Sequence, residues 1–370
     1  MQDIELEQAI EVLLAHTTPV TETERVPLLD ALGRVAAEDV YAAFDNPPFD
    51  RSPLDGYTFA AASTADASAE HPVRLTVVGE ECAGDFFAGT VGAGACVRIM
   101  TGGAIPAGCD CVVRQEDVRE EGDAIFVPFT SQPFENYCYA GEDIKKDTLL
   151  LAKGQHIRAS QIAVLASEGH ADVCVHRRVR IAVASTGDEL LQPGEPLRPG
   201  KIYNSNLYLL AGRLKELGAE VTVVGSVSDD VERAAEVIAS YADRVDLFLT
   251  SGGVSVGKKD IMHGVVPALG AERLFWRVCM KPGAPAIAYT RGRMLGIALS
   301  GNPFAAYATF ELMTRPAIAR LAGETDVLMP RRRAVLADAF PKPCHGRRFL
   351  RARMEADGRV SLPDQHASGS

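Results

Sequence analysis

Residues 178 to about 322 alternate strand and helix signals, and this alternation constrains the fold more than any other feature of the chain. The apolar runs that predict strands are 180–185, 220–224 and 246–250. Polar residues at helix-capping positions follow the first two runs and precede helically spaced apolar residues; they are Asn204 or Ser205, and Asp229 or Asp230. Such a βαβ rhythm predicts a parallel sheet with helices on both faces, a three-layer α/β/α domain.

Ligands bind beyond the carboxyl ends of the strands in such sheets. Three loops are therefore the candidates for ligand binding: 186–189, 251–260 and 300–303.

The rest of the chain predicts further domains. Leu6, Ile10, Leu13 and Leu14 stand at helical spacing, so the chain opens with an amphipathic helix. From Asn46 to about Tyr139, short apolar runs are interleaved with Gly, Pro and Asp, which is typical of a β-rich domain. A second helix is expected at 161–169 and a strand at 173–175. The tail from 327 to 370 contains strand-like pieces but is short for an independent domain.

Composition excludes several classes of protein. The 370 residues include 38 Lys and Arg against 49 Asp and Glu, and a net charge of −11 disfavours a general nucleic-acid or anionic-membrane binder. The acidic N-terminus has no signal-peptide pattern, and no uncharged apolar run reaches about 18 residues, so we expect a cytoplasmic protein. The eight cysteines are scattered, which disfavours a disulfide scaffold or a zinc cluster. Cys109 and Cys111 could form a redox or metal element, but a pair of buried thiols on one strand face is favoured.

The segment 252–260 nearly fits the phosphate-binding pattern G-x-x-x-x-G-K-[ST]. Lys259 stands where an ordinary phosphate-binding loop needs a hydroxyl for Mg²⁺, which argues against a nucleoside triphosphatase. The glycines still allow backbone N–H groups to approach an anion. The alternative is a tight strand-to-helix turn with solvated lysines.

Acidic residues follow the same strands. Asp188, Glu189 and Asp260 are expected at one edge of the sheet, where they suit a Mg²⁺ ion that binds through one or two carboxylates plus substrate phosphates. Each acid taken singly is also typical of a helix cap or a solvated surface charge.

A third signal is a pair of positively charged residues before a turn. Arg277 and Lys281 precede a rigid Pro282-Gly283 turn, and residues four apart in an extended segment share a face, so both could address one anion. The alternative is two solvated charges at a strand end. In the last loop, Pro303 can start a helix and Gly301 allows close approach of a backbone.

Together these segments resemble the molybdopterin molybdenumtransferase family, which includes MoeA and the E domain of gephyrin. The similar stretches are 47–57, 98–103 running on to Gln115-Glu116, 141–143, 185–190, 251–257 with Asp260, 281–283 and 301–303. They occur in the family's order and cover nearly the whole chain. The related molybdopterin adenylyltransferases and CinA-like proteins share the α/β domain but are expected to lack the long segment before residue 178.

The resemblance implies an L-shaped homodimer of four-domain subunits. These are an extended helical and β domain I (1–45 and 140–177), an inserted β-rich domain II (46–139), a MogA-like α/β molybdopterin-binding domain III (178–326) and an incomplete β-barrel-like domain IV (327–370). The active cleft would lie between domain III of one subunit and domain II of the other.

The implied reaction is insertion of molybdate into the dithiolene of adenylylated molybdopterin, with Mg²⁺-dependent release of AMP. A molybdopterin adenylyltransferase is the implied upstream partner, and neither nucleic acid nor membrane is implied.

The resemblance also assigns site residues. Those implied in catalysis are Asp55, Thr101, Asp143, Glu189, Asp260, Arg277 and Lys281, of which Asp55, Thr101 and Asp143 would come from the partner subunit. Those implied in substrate binding are Thr186, Gly187, Ser251, Gly252, Gly253, Ser255, Gly257, Pro282, Gly283, Ser300, Gly301, Asn302 and Pro303. The implied magnesium ligands are Asp188, Glu189, Asp229 and Asp260.

Three positions depart from the family pattern. Arg277 stands where a lysine is expected, Ser300 replaces a proline, and Ala284 replaces a second lysine. Arginine keeps the charge but not the point-donor geometry of lysine. These departures and the short tail keep open an alternative, a catalytically weak paralogue that carries molybdopterin or acts as a protein scaffold. A third hypothesis is a Mg²⁺-dependent nucleotide-binding enzyme that uses the Gly-rich loop, against which Lys259 argues.

Overall fold

The computed structural model describes residues 1–255, 260–340 and 346–363, and the chain divides into two compact units. The first unit comprises Met1–Glu38, Ala152–Ile162 and Ala171–Ser370. The second comprises Asp39–Leu151 and Ala163–His170.

Strands outnumber helices in both units. The strands are β1 Gln2–Ile4, β2 Thr23–Pro27, β3 Val40–Tyr41, β4 Gly56–Phe59, β5 Val73–Glu81, β6 Ala95–Ile99, β7 Cys111–Arg114, β8 Arg119–Glu121, β9 Ala124–Val127, β10 Leu149–Leu151, β11 Asp172–His176, β12 Arg180–Thr186, β13 Leu190–Leu191, β14 Ile202–Tyr203, β15 Glu220–Val227, β16 Leu247–Ser251, β17 Glu272–Val278, β18 Met280–Lys281, β19 Ile287–Arg291, β20 Met294–Leu299, β21 Val335–Leu336, β22 Arg347–Arg348, β23 Arg353–Met354 and β24 Arg359–Ser361. The helices are α1 Leu6–Ala15, α2 Ala159–Ser167, α3 Ser205–Glu216, α4 Val231–Ala239, α5 Met262–Ala268, α6 Pro303–Thr309 and α7 Arg315–Leu321. Within the described ranges, no helix has the length and apolar character needed to cross a bilayer.

The first unit is organised around a seven-stranded sheet in the order β1-β17-β19-β20-β16-β12-β15. Strands β20, β16, β12 and β15 run parallel, as the sequence predicts. The prediction of a wholly parallel sheet is wrong, because β19 pairs antiparallel with both β17 and β20. Only Gly292 and Arg293 join β19 to β20, and a two-residue connection makes a hairpin rather than a crossover.

Alternation along the central strands places apolar side chains on both faces of this sheet. Ile181 and Val183 of β12 pack with Leu207 and Leu210 of α3 on one face. Ala182 and Ala184 pack with residues of α4 and α5 on the other face. Period-two alternation in a strand buried on both sides produces this division.

The chain's first residues join the same unit. Strand β1 pairs in parallel with β17, and α1 buries Leu6, Ile10 and Leu13 in the core below the sheet. The helix has the predicted position. In the structure, β1 and α1 close one edge of the α/β core.

The second unit is β-rich, as its short apolar runs predict. Its six-stranded sheet has the order β7-β4-β6-β5-β9-β8 and is antiparallel except for the β5–β6 pair. Phe59, Leu75 and Ile125 are fully buried in its core. Cys111 lies in this core, and burial raises its pKa to about 12. Cys109 is only half-buried and precedes β7, so the two thiols do not share one strand face.

The segment after residue 326 contains short strands. β21, β24 and β23 form a three-stranded sheet, and β22 pairs in parallel with β18.

The two-sided core generates a stability prediction. Leu249 of β16 is fully buried, whereas Leu209 of α3 is 38% exposed. We expect Leu249→Ala to lower the free energy of unfolding by about 3 kcal/mol, through lost burial and a cavity. The free energy of unfolding is measured by urea titration, followed by the fluorescence of the single tryptophan, Trp276 in β17. Leu209→Ala is the control and should cost less than about 1 kcal/mol; equal losses would contradict the assigned core.

Candidate functional site

Four parallel strands end together at one edge of the sheet. Thr186 of β12 lies opposite Val227 of β15, Ser185 lies opposite Ser251 of β16, and Ser251 lies opposite Leu299 of β20. The loops that follow surround a cavity of about 300 Å³, which we call the sheet-edge cavity. Its described lining residues are Thr186, Gly187, Glu189, Leu190, Ile202, Tyr203, Asn204, Ser205, Asn206, Asp229, Ser251, Gly252, Gly253, Val254, Ser255, Asp260, Ser300, Gly301 and Pro303.

Most of the predicted substrate-binding residues of this unit meet here. Thr186, Gly187, Ser251, Gly252, Gly253, Ser255, Ser300, Gly301 and Pro303 all line the cavity. Asn302 does not line it but caps α6, where its side-chain oxygen accepts a hydrogen bond from Ala305 N at 3.1 Å. Gly257, with Lys258 and Lys259 of the phosphate-binding pattern, lies outside the described residues.

Two glycines bring the loop backbone against the end of β12. Gly252 has φ +99°, and a Cβ atom there would lie 2.7 Å from the Thr186 carbonyl oxygen. Gly253 has φ +66°, and its Cβ would lie 2.9 Å from Thr186 Oγ1. The loop after β16 therefore packs too closely on β12 for any larger residue, which is the close backbone approach that the sequence predicts.

A buried polar network lies behind the loop. Asn204 caps α3, and its side-chain oxygen accepts hydrogen bonds from Leu207 N at 3.2 Å and Ser185 Oγ at 3.0 Å. Ser185 Oγ also lies 3.1 Å from Ser251 Oγ. Asn206 donates from Nδ2 to the Gly301 carbonyl at 2.8 Å. The first set of bonds joins the ends of β12 and β16 to the start of α3, and the Asn206 bond joins α3 to the loop after β20.

Several polar atoms of the cavity residues have no protein partner in the part of the chain that the structure describes. They are Thr186 Oγ1, Asn204 Nδ2 and Asn206 Oδ1, all of which are buried. A buried polar atom left without a partner costs about 1–3 kcal/mol. These residues therefore keep unused hydrogen-bonding capacity in the wall of the cavity. The sequence analysis missed Asn204 and Asn206 as cavity residues; their signal was two asparagines beside an otherwise apolar helix start.

Acidic side chains surround the same cavity. Glu189, Asp229 and Asp260 line it. Asp188 does not; its backbone N–H donates to Asp229 Oδ2 at 3.4 Å. No cluster of three His, Cys, Asp or Glu side chains that could hold a metal occurs within 1–255, 260–340 and 346–363. This donor set fits Mg²⁺ that binds through one or two carboxylates together with substrate phosphates, and it does not fit a closed all-protein metal cage.

The backbone is not extended at Arg277, the first of the two predicted cations, so the premise of their shared face fails. Arg277 has φ +67°, which breaks the extended alternation on which that prediction rested. Its Nε lies 3.1 Å from Asp3 Oδ1, and its guanidinium lies over the Trp276 ring. Neither Arg277 nor Lys281 is among the described residues that line the sheet-edge cavity.

Lys281 instead has another cation opposite it. The pairing of β18 with β22 places Lys281 across from Arg348, a residue that the sequence analysis missed because pairing with the tail has no local signal. The turn that follows contains a cis Lys281–Pro282 bond and Gly283 at φ +102°. A Cβ at Gly283 would lie 2.4 Å from Thr309 Cγ2, so this turn packs directly on α6.

The remaining predicted residues lie in the second unit. Asp55 accepts hydrogen bonds at 2.8 Å from both the backbone N–H and the hydroxyl of Thr101. The Thr101 backbone N–H, more than its hydroxyl, holds the pKa of Asp55 below its usual range. Asp143 forms an ion pair with Arg51 at 3.2 Å, and the Arg51 backbone bridges Ala104 and Cys138. The turn 50–55 therefore connects all three predicted residues.

Both halves of the chain match models of known protein families. Residues 4–169 match the family model "MoeA N-terminal region (domain I and II)", and residues 182–320 match "Probable molybdopterin binding domain". The molybdopterin molybdenumtransferase of Bacillus subtilis (strain 168) is 39% identical over 344 residues, which cover 92% of this chain and 80% of the relative. The chain belongs to the molybdopterin molybdenumtransferase family.

Two further family members are similar to the chain over most or all of its length. The molybdopterin molybdenumtransferase of Staphylococcus aureus (strain N315) is 37% identical over 331 residues, 89% of this chain and 78% of the relative. A crystal structure of the molybdopterin biosynthesis moeA protein from Pyrococcus horikoshii OT3 superposes with a TM-score of 0.86 at 31% identity, over 100% of this chain and 92% of that one. The resemblance inferred from the motifs is confirmed.

The packing of the Gly-rich loop on β12 can be tested by comparing two glycines that have the same backbone conformation. Gly252 and Gly225 both have φ +99°, but a Cβ at Gly225 would meet no atom within 4 Å. We expect Gly252→Ala to lower the free energy of unfolding by about 1–3 kcal/mol more than Gly225→Ala, because only the former adds a steric clash to the backbone strain. Urea unfolding monitored by Trp276 fluorescence measures both variants. Equal destabilisation would mean that Thr186 is not packed on this loop.

Proposed function

We propose that this protein is a molybdopterin molybdenumtransferase that inserts molybdate into adenylylated molybdopterin, with Mg²⁺-dependent release of AMP, in molybdenum cofactor biosynthesis. The observation that carries the proposal is the sheet-edge cavity, in which the Gly-rich loop, acidic side chains and unused polar atoms meet in a chain of this family. Because the substrate carries an adenylyl group, an adenylyl-transferring enzyme must act upstream. A molybdopterin adenylyltransferase is the partner we propose.

The sheet-edge cavity would hold the phosphate end of the substrate. Ser205 and Asn206 form the first turn of α3 and line the cavity. The N-terminal turn of a 12-residue helix favours an anion through its unpaired N–H groups and its dipole. Gly252 and Gly253 keep the adjacent backbone free of side chains, so the phosphate oxygens can approach it. In this arrangement the chain binds and orients the phosphoanhydride.

Glu189, Asp229 and Asp260 are the candidate ligands, of which one or two would hold Mg²⁺ together with the substrate phosphates, with Asp188 beside them. When bound, the ion would neutralise charge that develops as the phosphoanhydride is cleaved. The ligating carboxylates would then position the ion, and the remaining acid would keep other anions away from the phosphate end.

Lys281 is the cation we propose for molybdate. Its neighbour across the β18–β22 pair is Arg348, so two positive charges stand at this position. Arg277 is engaged by Asp3 and would contribute only if that ion pair opened. The other predicted residues of this turn, Pro282 and Gly283, fix its path against α6.

We propose that two copies of the chain form a homodimer and that each cleft combines both. Asp55, Thr101 and Asp143 of one subunit would complete the cleft at the sheet edge of the other. This proposal rests on the family resemblance, with the Asp55–Thr101 and Arg51–Asp143 contacts as support, since they fix these side chains in one ordered region.

AMP release tests the reaction. With adenylylated molybdopterin, Mg²⁺ and molybdate, we expect Asp260→Ala and Lys281→Ala each to lower the rate of AMP release on the order of 100-fold, because each removes a charge that acts on the reacting anions. Chelation of magnesium should abolish release, and added Mg²⁺ should restore it. Chromatographic quantification of AMP measures the rates.

Exposed residues far from the cavity supply the controls. Asp243→Ala and Lys215→Ala remove the same charges at the surface and should leave the rate unchanged. Pterin binding by the wild-type protein without AMP release would overturn the transferase proposal in favour of a carrier or scaffold, and would point to Arg277, Ala284 and Ser300 as the cause.

Subunit mixing tests the shared cleft. Asp55→Ala and Asp260→Ala should each be inactive alone, yet an equimolar mixture that has exchanged subunits should recover roughly a quarter of the wild-type rate. Half of the dimers are then mixed, and one of their two clefts is intact. If the mixture stays inactive while sedimentation shows mixed dimers, both residues act within one chain.

A further inference from the structure

Three aromatic side chains cluster at the surface of the second unit. Phe134, Tyr137 and Tyr139, which we call the aromatic platform, have ring centroids 5.0–5.7 Å apart. Phe134 is 53% exposed and Tyr139 is 49% exposed. Large aromatic side chains left in solvent as a group mark a binding surface more often than scattered single residues do.

The platform is held rigidly. Tyr137 donates its hydroxyl hydrogen to Asp50 Oδ2 at 2.5 Å, and Ala140 N–H donates to the other oxygen of Asp50 at 2.8 Å. Asn136 Nδ2 donates to the Val112 carbonyl at 2.9 Å, and Phe134 N–H donates to the Asp110 carbonyl at 2.6 Å. Burial, together with the bond to Asp50, raises the pKa of Tyr137, so its hydroxyl remains a donor.

The backbone under the platform is strained. Phe134 has φ +64° and Asn136 has φ +48°, a region that a bulky residue such as Phe rarely adopts. Such conformations persist where surrounding contacts over-determine them, and they concentrate at functional sites. The chain thus maintains two exposed rings in a fixed arrangement, the preorganisation that lowers the entropy cost of binding.

The platform adjoins the polar residues predicted for the cleft. Arg51 exchanges two backbone hydrogen bonds with Cys138, at 2.9 and 3.0 Å, between the two tyrosines. The guanidinium of the same Arg51 pairs with Asp143. Aromatic surface and charged groups therefore lie side by side, as a ligand with a flat ring and an anionic end requires.

The size of the platform favours a small ligand over a protein. Two half-exposed rings offer about 200 Å² of surface, whereas a stable protein interface needs about 800 Å² from each partner. A planar ring stacked on one or two aromatic side chains fits the smaller area.

We propose that the aromatic platform stacks a fused heteroaromatic ring of the substrate. This inference rests on the proposed function, because the pterin and the adenine of adenylylated molybdopterin share that chemistry. Phe134 and Tyr139 would be specificity-determining residues that bind the flat ring while the neighbouring polar groups address its substituents.

The test measures binding of each ring separately to the full-length protein. The probes are 6-hydroxymethylpterin, followed by its fluorescence, and AMP, followed by calorimetry. The double variant Phe134→Leu/Tyr139→Leu keeps apolar volume but removes both π faces. We expect it to weaken binding of one probe by about tenfold or more, the order of base–aromatic stacking, and so to identify the ring. Its KM for the adenylylated substrate should rise by a similar factor.

Two further variants separate stacking from structure. Tyr139→Phe keeps the ring and should retain binding, whereas Phe86→Leu, which alters a 78% exposed ring elsewhere in the unit, should change neither probe. Unchanged binding of both probes in the double variant, or no binding of either probe to the wild type, overturns the proposal. Loss of self-association by the double variant in sedimentation would assign the platform to an interface between copies and also overturn it.

Failure of the platform proposal and failure of the transferase proposal give different results. A wild-type protein that binds a probe through the platform but releases no AMP would refute the transferase and leave the platform in place. AMP release with unchanged probe binding and unchanged KM in the double variant would refute the platform alone.

Discussion

The common register of four parallel strands is the constraint on which the rest of the first unit depends. At the starting end of the strands, the side chain of Asp246 joins the start of β16 to the start of β12. Its carboxylate accepts two hydrogen bonds from Arg177, at 2.8 and 2.9 Å, and a third at 2.7 Å from the backbone of Arg180, where β12 begins. Strands that begin level and differ little in length end level, so Thr186, Ser251 and Leu299 stand at one edge. A slip of one residue would exchange the two faces of a strand and separate these ends.

Local chemistry made much of this unit predictable. Asn204 and Asp230 cap α3 and α4 as their sequence positions predict, because a cap is a contact between residues three apart. The strands between 180 and 251 were predictable because each is a short apolar run bounded by turn residues. What local signals could not supply is pairing between distant segments. The pairing of β1 with β17 and of β18 with β22 joins residues far apart in the chain. The antiparallel pairing of β17 with β19 is closer in sequence, but the alternation of strands and helices did not indicate it.

The residues of the candidate site also divide into those that local sequence signals predict and those that depend on tertiary contacts. Its glycines were predictable because Gly252 and Gly253 need positive φ and space for Thr186, requirements that only glycine meets. Asn204 was predictable as a cap, yet its unused Nδ2 atom and its bond to Ser185 depend on the sheet beneath it. One residue thus has a local task, which its sequence context reveals, and a tertiary task, which appears only once the loops are assembled.

The backbone conformation at Arg277 changes where positive charge lies around the Pro282 turn. A shared face for Arg277 and Lys281 requires extended backbone throughout, and φ +67° at Arg277 removes that condition. The guanidinium then pairs with Asp3, which follows from the β1–β17 pairing, so the N-terminal strand neutralises this cation. Lys281 keeps a cationic neighbour because β22 crosses to β18 and brings Arg348 opposite it. The second positive charge beside the Pro282 turn therefore comes from a segment after residue 340. Position 284 is an alanine and Arg277 is paired with Asp3, so the cation opposite Lys281 is supplied by β22 rather than by the turn itself.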